Sequence, residues 1–168
     1  MKLVLMIAIA IVLVIGAVAA IGAMLPKRHA VSRSAVFHAG AERLYALVGG
    51  TQTWRPDVRS CEMIEQDGER LQSETDSHGQ TILYAVEEPA PDRIVRRIAT
   101  KNLPYGGTWS VTFAAKDGGT QVRITEDGEV YNPIFRFVSK FIMGETATMN
   151  AYLKALGKAV GENIRVEN

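Results

Sequence analysis

The chain has 168 residues and carries 19 basic and 18 acidic side chains, which gives a formal net charge of +1. This length allows one compact domain with an appended segment and is enough to bury a hydrophobic core. The sequence has no basic run with interleaved aromatic residues, so no nucleic-acid partner is predicted. The single cysteine, Cys61, has no partner for an internal disulfide and fits either a reducing compartment or a periplasmic domain without bridges.

The first predicted element is a membrane helix. Leu3 to Leu25 contains 23 residues without a charge, a polar side chain or a proline. As a helix this stretch would rise about 34 Å, against a hydrocarbon core of about 30 Å. We therefore predict a transmembrane anchor over residues 1–25, a connector over residues 26–30 and a folded domain over residues 31–168. A cleaved signal peptide that ends near Ala17-Val18-Ala19 is the alternative interpretation.

The charges beside the apolar stretch predict its orientation. Only Lys2 and the amino terminus precede it, whereas Lys27, Arg28 and Arg33 follow it closely. Cytoplasmic flanks carry an excess of basic residues, so this bias favours a single-pass protein of the cell (inner) membrane with its domain in the cytoplasm.

Strands dominate the predicted domain. The predicted elements in chain order are a strand over Ala30–His38, a helix over Gly40–Val48, a short helix or turn over Thr51–Asp57, and strands over Val58–Gln66, Arg70–Asp76, Thr81–Glu87, Arg93–Thr100, Thr108–Ala115 and Thr120–Tyr131. Turn residues separate the last six strands, for example Asp67-Gly68, Pro89-Ala90-Pro91-Asp92 and Asp117-Gly118-Gly119. Strands that follow one another without intervening helices predict an antiparallel sheet.

The last predicted element is a helix that begins with a cap. Asn132 can accept hydrogen bonds from free amides, and Pro133 suits the first helical position. If continuous to Val160, this helix would rise about 42 Å, although Gly144 weakens its middle by about 1 kcal/mol relative to alanine. The predicted fold is α+β, with a curved seven-strand antiparallel sheet wrapped around a long C-terminal helix. This order is that of the helix-grip fold, in which the gap between sheet and helix is the natural ligand site.

Three stretches make a resemblance to a known family specific. They are TWRPDV after the short helices, GGTWSVTF on a late strand and TEDGEVYNPIFRF before the last helix. Over about residues 30–160 the chain resembles the SRPBCC superfamily, which includes START lipid-transfer domains, birch-pollen-allergen-like proteins and polyketide cyclase/dehydrase-like proteins. Membrane-anchored bacterial members of this superfamily exist. The resemblance implies the helix-grip fold but not one function, since the superfamily contains carriers, cyclases and receptors.

Three carboxylates in the stretch Glu126-Asp127-Gly128-Glu129 raise the question of an acid/base or metal cluster. Side chains alternate between the two faces of a strand, so Glu126 shares the inner face with Val122 and Ile124, while Asp127 and Glu129 point outward. Glu126 alone is therefore expected in the cavity. It would act there as a general acid or base, or would play a structural role by capping the last helix or by pairing with an arginine, for which Arg96 or Arg97 is available.

The remaining site predictions concern aromatic residues. The residues expected to bind ligand are Trp54, Tyr84, Trp109, Phe113, Glu126, Phe137 and Phe141, with ordinary core packing as the alternative for the aromatic ones. His29, His38 and His78 are scattered, so neither a metal nor another cofactor is predicted.

Two main functions fit the sequence. The first is a membrane-tethered module that binds or transports a hydrophobic small molecule or lipid. The second is a cyclase, dehydratase or hydrolase in which Glu126 acts with Tyr84 or Tyr105. We expect the first, because only one inward-facing polar residue can be nominated, whereas an enzyme of this kind should bring several together. An interaction domain with an unused cavity is a third possibility.

Overall fold

The computed structural model describes residues 1–87 and 90–168, and the predicted turn at Pro89 lies partly outside these residues. Its elements in chain order are α1 (Lys2–Met24), β1 (Arg28–Phe37), α2 (Ala41–Gly49), a 3₁₀ helix (Gln52–Trp54), β2 (Val58–Gln66), β3 (Glu69–Asp76), β4 (Thr81–Val86), β5 (Arg93–Ile98), β6 (Tyr105–Lys116), β7 (Gly119–Val130), α3 (Pro133–Val138), a π-helical turn (Ser139–Met143), α4 (Ala147–Val160) and β8 (Val166–Glu167).

The strands form one antiparallel sheet in the order β2-β3-β4-β5-β6-β7-β1-β8. The predicted antiparallel sheet is confirmed. The predicted number of seven strands is wrong by one, because β8 pairs Val166 with Ala35 of β1 at the end of the sheet. A strand of two residues has no alternation that sequence reasoning could detect.

Two hairpin turns explain the order of the sheet. Asp67 and Gly68 join β2 to β3 with φ angles of 55° and 78°, and Asp117 and Gly118 join β6 to β7 with φ angles of 49° and 75°. Positive φ at both central residues is the requirement of a type I′ turn, whose twist matches that of the strands it joins. The predicted turns at these two sites are confirmed.

Two strands begin earlier than the sequence suggests. β1 starts at Arg28, because Arg28 and His29 pair with Glu129 and Gly128 of β7. The predicted connector over residues 26–30 is therefore too long, and its last three residues belong to the sheet. β6 likewise begins at Tyr105 and not at Thr108. In both cases the partner strand supplies hydrogen bonds that local sequence does not reveal.

The C-terminal helix is interrupted. Its start is as predicted, since Asn132 Oδ1 accepts hydrogen bonds from the amides of Ile134 (2.9 Å) and Phe135 (3.2 Å). The helix does not continue to Val160, because α3 passes into a π-helical turn that ends at Gly144 with φ of 79°. That backbone conformation strains any residue with a Cβ, so the glycine permits the chain to change direction before α4.

The hydrophobic core lies between α2, α4 and the inner face of the sheet. Its fully buried members include Ala35, Phe37, Leu44, Val122, Ile124, Met149, Leu153 and Leu156. α4 contributes its apolar face at helical spacing, as the sequence predicts. α2 and α4 therefore cover part of the inner face.

α1 is the one helix, among the residues described, that is long and apolar enough to cross a membrane. Its most apolar window has a mean hydropathy of 3.2, and none of that window is buried. Its C-terminal part contacts the domain, where Val18 and Ala19 are partly covered. Gly22 is buried against Pro133, where a side chain would collide with the proline backbone, and Arg136 Nη1 donates to the carbonyl oxygen of Leu25 at 2.6 Å.

Candidate functional site

Strand parity separates the three carboxylates of β7. Glu126 lies on the inner face, directly opposite Trp109 of β6 and Val31 of β1. Asp127 is exposed on the other face. Glu129 is also outward, where it accepts hydrogen bonds from Tyr131 Oη (2.9 Å) and Arg28 Nε (2.6 Å), and these bonds hold the pKa of Glu129 below its usual value. The three carboxylates therefore do not form one site.

Glu126 is held by two neighbouring side chains. Trp109 Nε1 donates to Glu126 Oε2 at 2.6 Å, and His29 Nε2 lies 3.1 Å from Glu126 Oε1. The expectation that Arg96 or Arg97 would pair with Glu126 is wrong. Arg96 lies one strand further away, opposite Trp109, and Arg97 points to the other face and pairs with Glu69.

His29 reaches Glu126 because Gly128 leaves room for it. Gly128 lies opposite His29 in the sheet, and a Cβ at this position would collide with the His29 ring and with Glu126. Sequence reasoning missed His29 because it was assigned to the connector. The alternation of Val31, Ala35 and Phe37 on the inner face, extended back to residue 29, was the available signal.

A second polar cluster occupies the inner face further along the sheet. Glu74 of β3 accepts hydrogen bonds from Arg55 Nη1 (2.9 Å) and Arg96 Nη2 (3.1 Å), and all three side chains are nearly buried. Arg55 also pairs with Asp57. Burial alone would raise the pKa of Asp57, but the hydrogen bond and charge of Arg55 outweigh it and lower that pKa. These polar residues were not predicted, although Glu74 shares an inward position with Gln72 in β3.

Aromatic rings surround both clusters. Trp54 and Trp109 each meet the Tyr152 ring edge-on, at centroid distances of 5.2 and 5.7 Å. The Arg96 guanidinium lies 4.4 Å from the centre of the Tyr84 ring. Burial raises the pKa of both Tyr84 and Tyr152 to about 12, so both phenols are protonated donors at neutral pH.

The other three predicted ligand residues lie elsewhere. Phe113 is in the hydrophobic core, packed against Tyr45 of α2 at a centroid distance of 5.4 Å. Phe137 of α3 and Phe141 of the π-helical turn contact each other at 4.9 Å, and Phe141 is largely exposed. The structure thus brings together Trp54, Tyr84, Trp109 and Glu126, and leaves Phe113, Phe137 and Phe141 apart from them.

A groove of about 810 Å³ is lined by outward-facing residues such as Arg28, Arg97, Asp127 and Glu129, and also by His29 and Tyr105. None of the seven predicted ligand residues lines it. A small cavity of about 30 Å³ lies under the end of α1, between His29, Leu25 and Arg136. Within residues 1–87 and 90–168, no three His, Cys, Asp or Glu side chains converge as metal ligands would.

The fold and site define a class of protein. An antiparallel sheet that curves around a C-terminal helix, with polar and aromatic residues on its inner face, is a helix-grip domain. Residues 28–161 match the sequence family described as polyketide cyclase/dehydrase and lipid transport, and the chain belongs to this family. The predicted resemblance to the SRPBCC superfamily is thereby confirmed. No curated protein matches the chain in sequence.

Solved structures agree on the fold. The chain is similar to truncated norcoclaurine synthase from Thalictrum flavum, with 13% identity and a TM-score of 0.60 over 81% of this chain and 95% of that one. It is similar to a START superfamily protein from Mycobacterium smegmatis, with 18% identity and a TM-score of 0.55 over 79% and 94%. It is also similar to Ara h 8.0201, with 13% identity and a TM-score of 0.56 over 80% and 99%. At these identities the likeness concerns the fold alone.

Proposed function

We propose that this protein is a membrane-tethered domain that binds a hydrophobic molecule with a polar group on the inner face of its sheet. The family description names lipid transport beside cyclase and dehydrase activity, and one similar structure is a START superfamily protein. Both support a hydrophobic ligand, which is a small molecule or a lipid.

The exposure of the apolar helix α1 is the observation that supports membrane tethering. A core helix would bury its apolar side chains, yet the most apolar part of α1 buries none. Its last turn is nevertheless fixed to the domain through Gly22 and Arg136. A bilayer is the environment that suits such a surface. The basic residues Lys27 and Arg28 favour a cytoplasmic position for the domain.

The proposed ligand site consists of Glu126 and the residues around it. The Glu126 side chain is 22% exposed and the His29 side chain 18% exposed, so neither is sealed off from a ligand. Trp54, Tyr84 and Trp109 supply apolar ring surfaces beside them. A hydroxyl or amine on the ligand can donate to Glu126, while the hydrophobic body packs on the rings.

Two measurements on the full-length protein test this proposal. Carbonate extraction followed by intact-mass analysis should find the protein in the membrane with residues 1–25 present. Native mass spectrometry of the detergent-extracted protein should find one small hydrophobic molecule bound per chain. A mature protein that begins near Ala20 would contradict the tether. A protein that binds no such molecule, even after incubation with membrane lipid extract, would contradict the ligand site.

The pair formed by His29 and Glu126 favours a second candidate function, an enzyme of the cyclase or dehydratase type. A carboxylate 3.1 Å from an imidazole can orient the ring toward a substrate, and an imidazole is the commonest general base. Tyr84 can serve as a donor on the same face. Tyr105 lies at the edge of the site, stacked on Phe135 at 6.2 Å.

The two functions differ in what happens to the ligand. If the protein is an enzyme, the co-purified molecule should change in mass or isomeric form during incubation with the wild type. Substituting His29→Gln should abolish that change while binding persists. If the protein is a carrier, the molecule should be recovered unchanged from both proteins.

A further inference from the structure

An exposed apolar surface follows β7. We call residues 133–143 the α3–π segment. Five of its side chains are between 40% and 71% exposed, namely Ile134, Phe135, Phe141, Ile142 and Met143. Soluble domains seldom expose a contiguous apolar patch of this kind unless the patch binds something. The hydrophobic core does not use these residues, because Gly144 ends the segment before α4 begins.

Three of the exposed residues lie on one side of the segment. Ile134 and Ile142 are two repeats of four apart, with Val138 between them, and Phe141 lies beside them. Arg136 lies on another side, where it is buried against α1, while Lys140 is exposed and pairs with Glu145. The segment is therefore amphipathic, with Arg136 toward the protein and an apolar side toward the surroundings.

The contact with α1 determines the depth at which the α3–π segment would lie relative to the bilayer. Pro133 packs against Gly22, and Arg136 Nη1 donates to the carbonyl oxygens of Leu25 (2.6 Å) and Ala23 (3.5 Å). The segment thus lies beside the last turn of α1. As α1 rises about 34 Å in total, its last turn would lie at the edge of a hydrocarbon core of about 30 Å. Amphipathic helices bury their apolar face at about this depth.

We infer that the α3–π segment lies in the surface of the bilayer that α1 crosses, with its five exposed apolar side chains among the lipid acyl chains. This inference rests on the proposed tether. The partner that covers the exposed patch is a lipid bilayer, because the segment lies beside the end of the apolar helix α1, which is proposed to cross that bilayer.

The inference also narrows the ligand class. Phe135 stacks on Tyr105, the first residue of β6, so the segment forms the border of the inner face. A molecule dissolved in the bilayer would therefore meet the border of the inner face at the membrane surface. The expected ligand is a membrane-resident amphiphile with a polar group for Glu126.

Site-specific fluorescent labels test the position of the segment. In the full-length protein, Cys61→Ala removes the native thiol, and Ile142→Cys introduces a labelling site at the most exposed of the five residues. The matched control is Lys154→Cys, an exposed position on α4 beyond Gly144. Both proteins are labelled with an environment-sensitive dye and reconstituted into phosphatidylcholine–phosphatidylglycerol vesicles that contain nitroxide-labelled lipid.

The label at residue 142 should emit at shorter wavelength than the label at residue 154, lose most of its intensity to the nitroxide lipid, and resist aqueous iodide. Quenching of residue 142 by iodide to the same extent as residue 154 would overturn the inference. Protection from both quenchers would also overturn it, because protein and not lipid would then cover the patch. Met143→Cys repeats the test at a second exposed site if the label at residue 142 prevents folding.

A third label separates this inference from the tether itself. Ile9→Cys places the dye within the apolar stretch of α1, two turns from its start. Nitroxide quenching at residue 9 without quenching at residue 142 would leave the tether intact and contradict the position of the segment. Iodide quenching at residue 9 would contradict the tether.

Discussion

Two carboxylates on the inner face of the sheet are held in different ways. Glu74 is almost buried and lies between two guanidinium groups, those of Arg55 and Arg96. Glu126 is more exposed and lies between a tryptophan indole and a histidine. Glu74 forms ion pairs with both arginines. Among the described residues, no arginine or lysine forms an ion pair with Glu126.

This difference indicates separate roles for the two clusters. A buried carboxylate with two arginines has its hydrogen-bonding capacity used by the fold, so Glu74 acts as a structural residue. Glu126 accepts one hydrogen bond from Trp109 and has a histidine as its other neighbour, so it keeps lone pairs for a ligand. We therefore propose that the cluster around Glu74 contributes to stability and the cluster around Glu126 to ligand recognition.

The largest expected effect comes from removing the buried carboxylate. Glu74→Ala leaves Arg55 and Arg96 buried without their shared partner, and breaking such a group costs about 3–5 kcal/mol of the free energy of unfolding. The measurement is denaturant unfolding of the full-length protein in detergent micelles. Glu69→Ala in the same strand is the control and should cost no more than about 1 kcal/mol, because its pair with Arg97 is exposed. Equal losses in both variants would contradict the structural role of Glu74.

The next effect concerns the phenol that both tryptophans contact. Tyr152 Oη donates to Gln52 Oε1 at 3.0 Å, and Gln52 is completely buried. Tyr152→Phe leaves that oxygen without its donor, at an expected cost of about 1–3 kcal/mol. Thermal unfolding at neutral pH measures this loss. An unchanged melting temperature would mean that Gln52 finds another partner.

Burial of Tyr152 also predicts that the stability of the folded protein depends on pH in the alkaline range. Burial raises the pKa of Tyr84 and Tyr152 from 10.0 to about 12, so between these values the folded protein binds protons that the unfolded chain releases. Their contribution to stability is therefore complete below pH 10 and is lost as the pH rises toward 12. Tyr152→Phe should make the decline in melting temperature shallower over this range. A decline as steep as that of the wild type would contradict the burial of this phenol.

Glu126→Gln is expected to change stability less than the preceding substitutions and to act mainly on ligand binding. Glu126→Gln still accepts a hydrogen bond from Trp109, so unfolding should change by no more than about 1 kcal/mol. Binding of the hydrophobic ligand should weaken, since the charged acceptor is lost. Glu129→Gln in the same strand, which faces outward, should leave binding unchanged. Isothermal titration of both variants with the co-purified molecule makes the comparison, and equal affinities would contradict the role of Glu126.

The smallest effect on folding is expected in the α3–π segment. Ile142→Ser alters a side chain that is 71% exposed, so the free energy of unfolding in micelles should change by no more than about 0.5 kcal/mol. Leu153→Ala in α4 is the contrast, because this buried side chain should cost about 2–5 kcal/mol. Similar losses in the two variants would mean that the segment packs within the domain.

Much of the fold follows from local signals in the sequence. Asp67-Gly68 and Asp117-Gly118 specify hairpin turns through their backbone preferences, and Asn132 with Pro133 marks the start of a helix. The inward direction of Glu126 followed from the alternation of Val122 and Ile124 alone. Each of these signals acts over a few neighbouring residues, so one sequence is enough to detect it.

The features that sequence reasoning missed depend on pairing between distant residues. His29 meets Glu126 only because β1 pairs with β7 in one register. Glu74 of β3 meets Arg96 of β5 across the intervening β4, and meets Arg55 from the loop before β2. The break at Gly144 was foreseen as a weakness but not as an end of the helix.

The fluorescence of Trp109 tests the central claim most directly. The chain has two tryptophans, so Trp54→Phe leaves Trp109, in contact with Glu126, as the only indole. The full-length variant in lipid nanodiscs is titrated with a fatty acid that carries bromine atoms, which quench indole fluorescence on contact. Our account predicts quenching that saturates at one molecule per chain, is reversed by the unbrominated fatty acid or the co-purified ligand, and is weakened by Glu126→Gln but not by Glu129→Gln. If Trp109 is not quenched, a ligand site beside Glu126 is contradicted. The same conclusion follows if quenching rises without saturation and neither the unbrominated fatty acid nor the co-purified ligand reverses it.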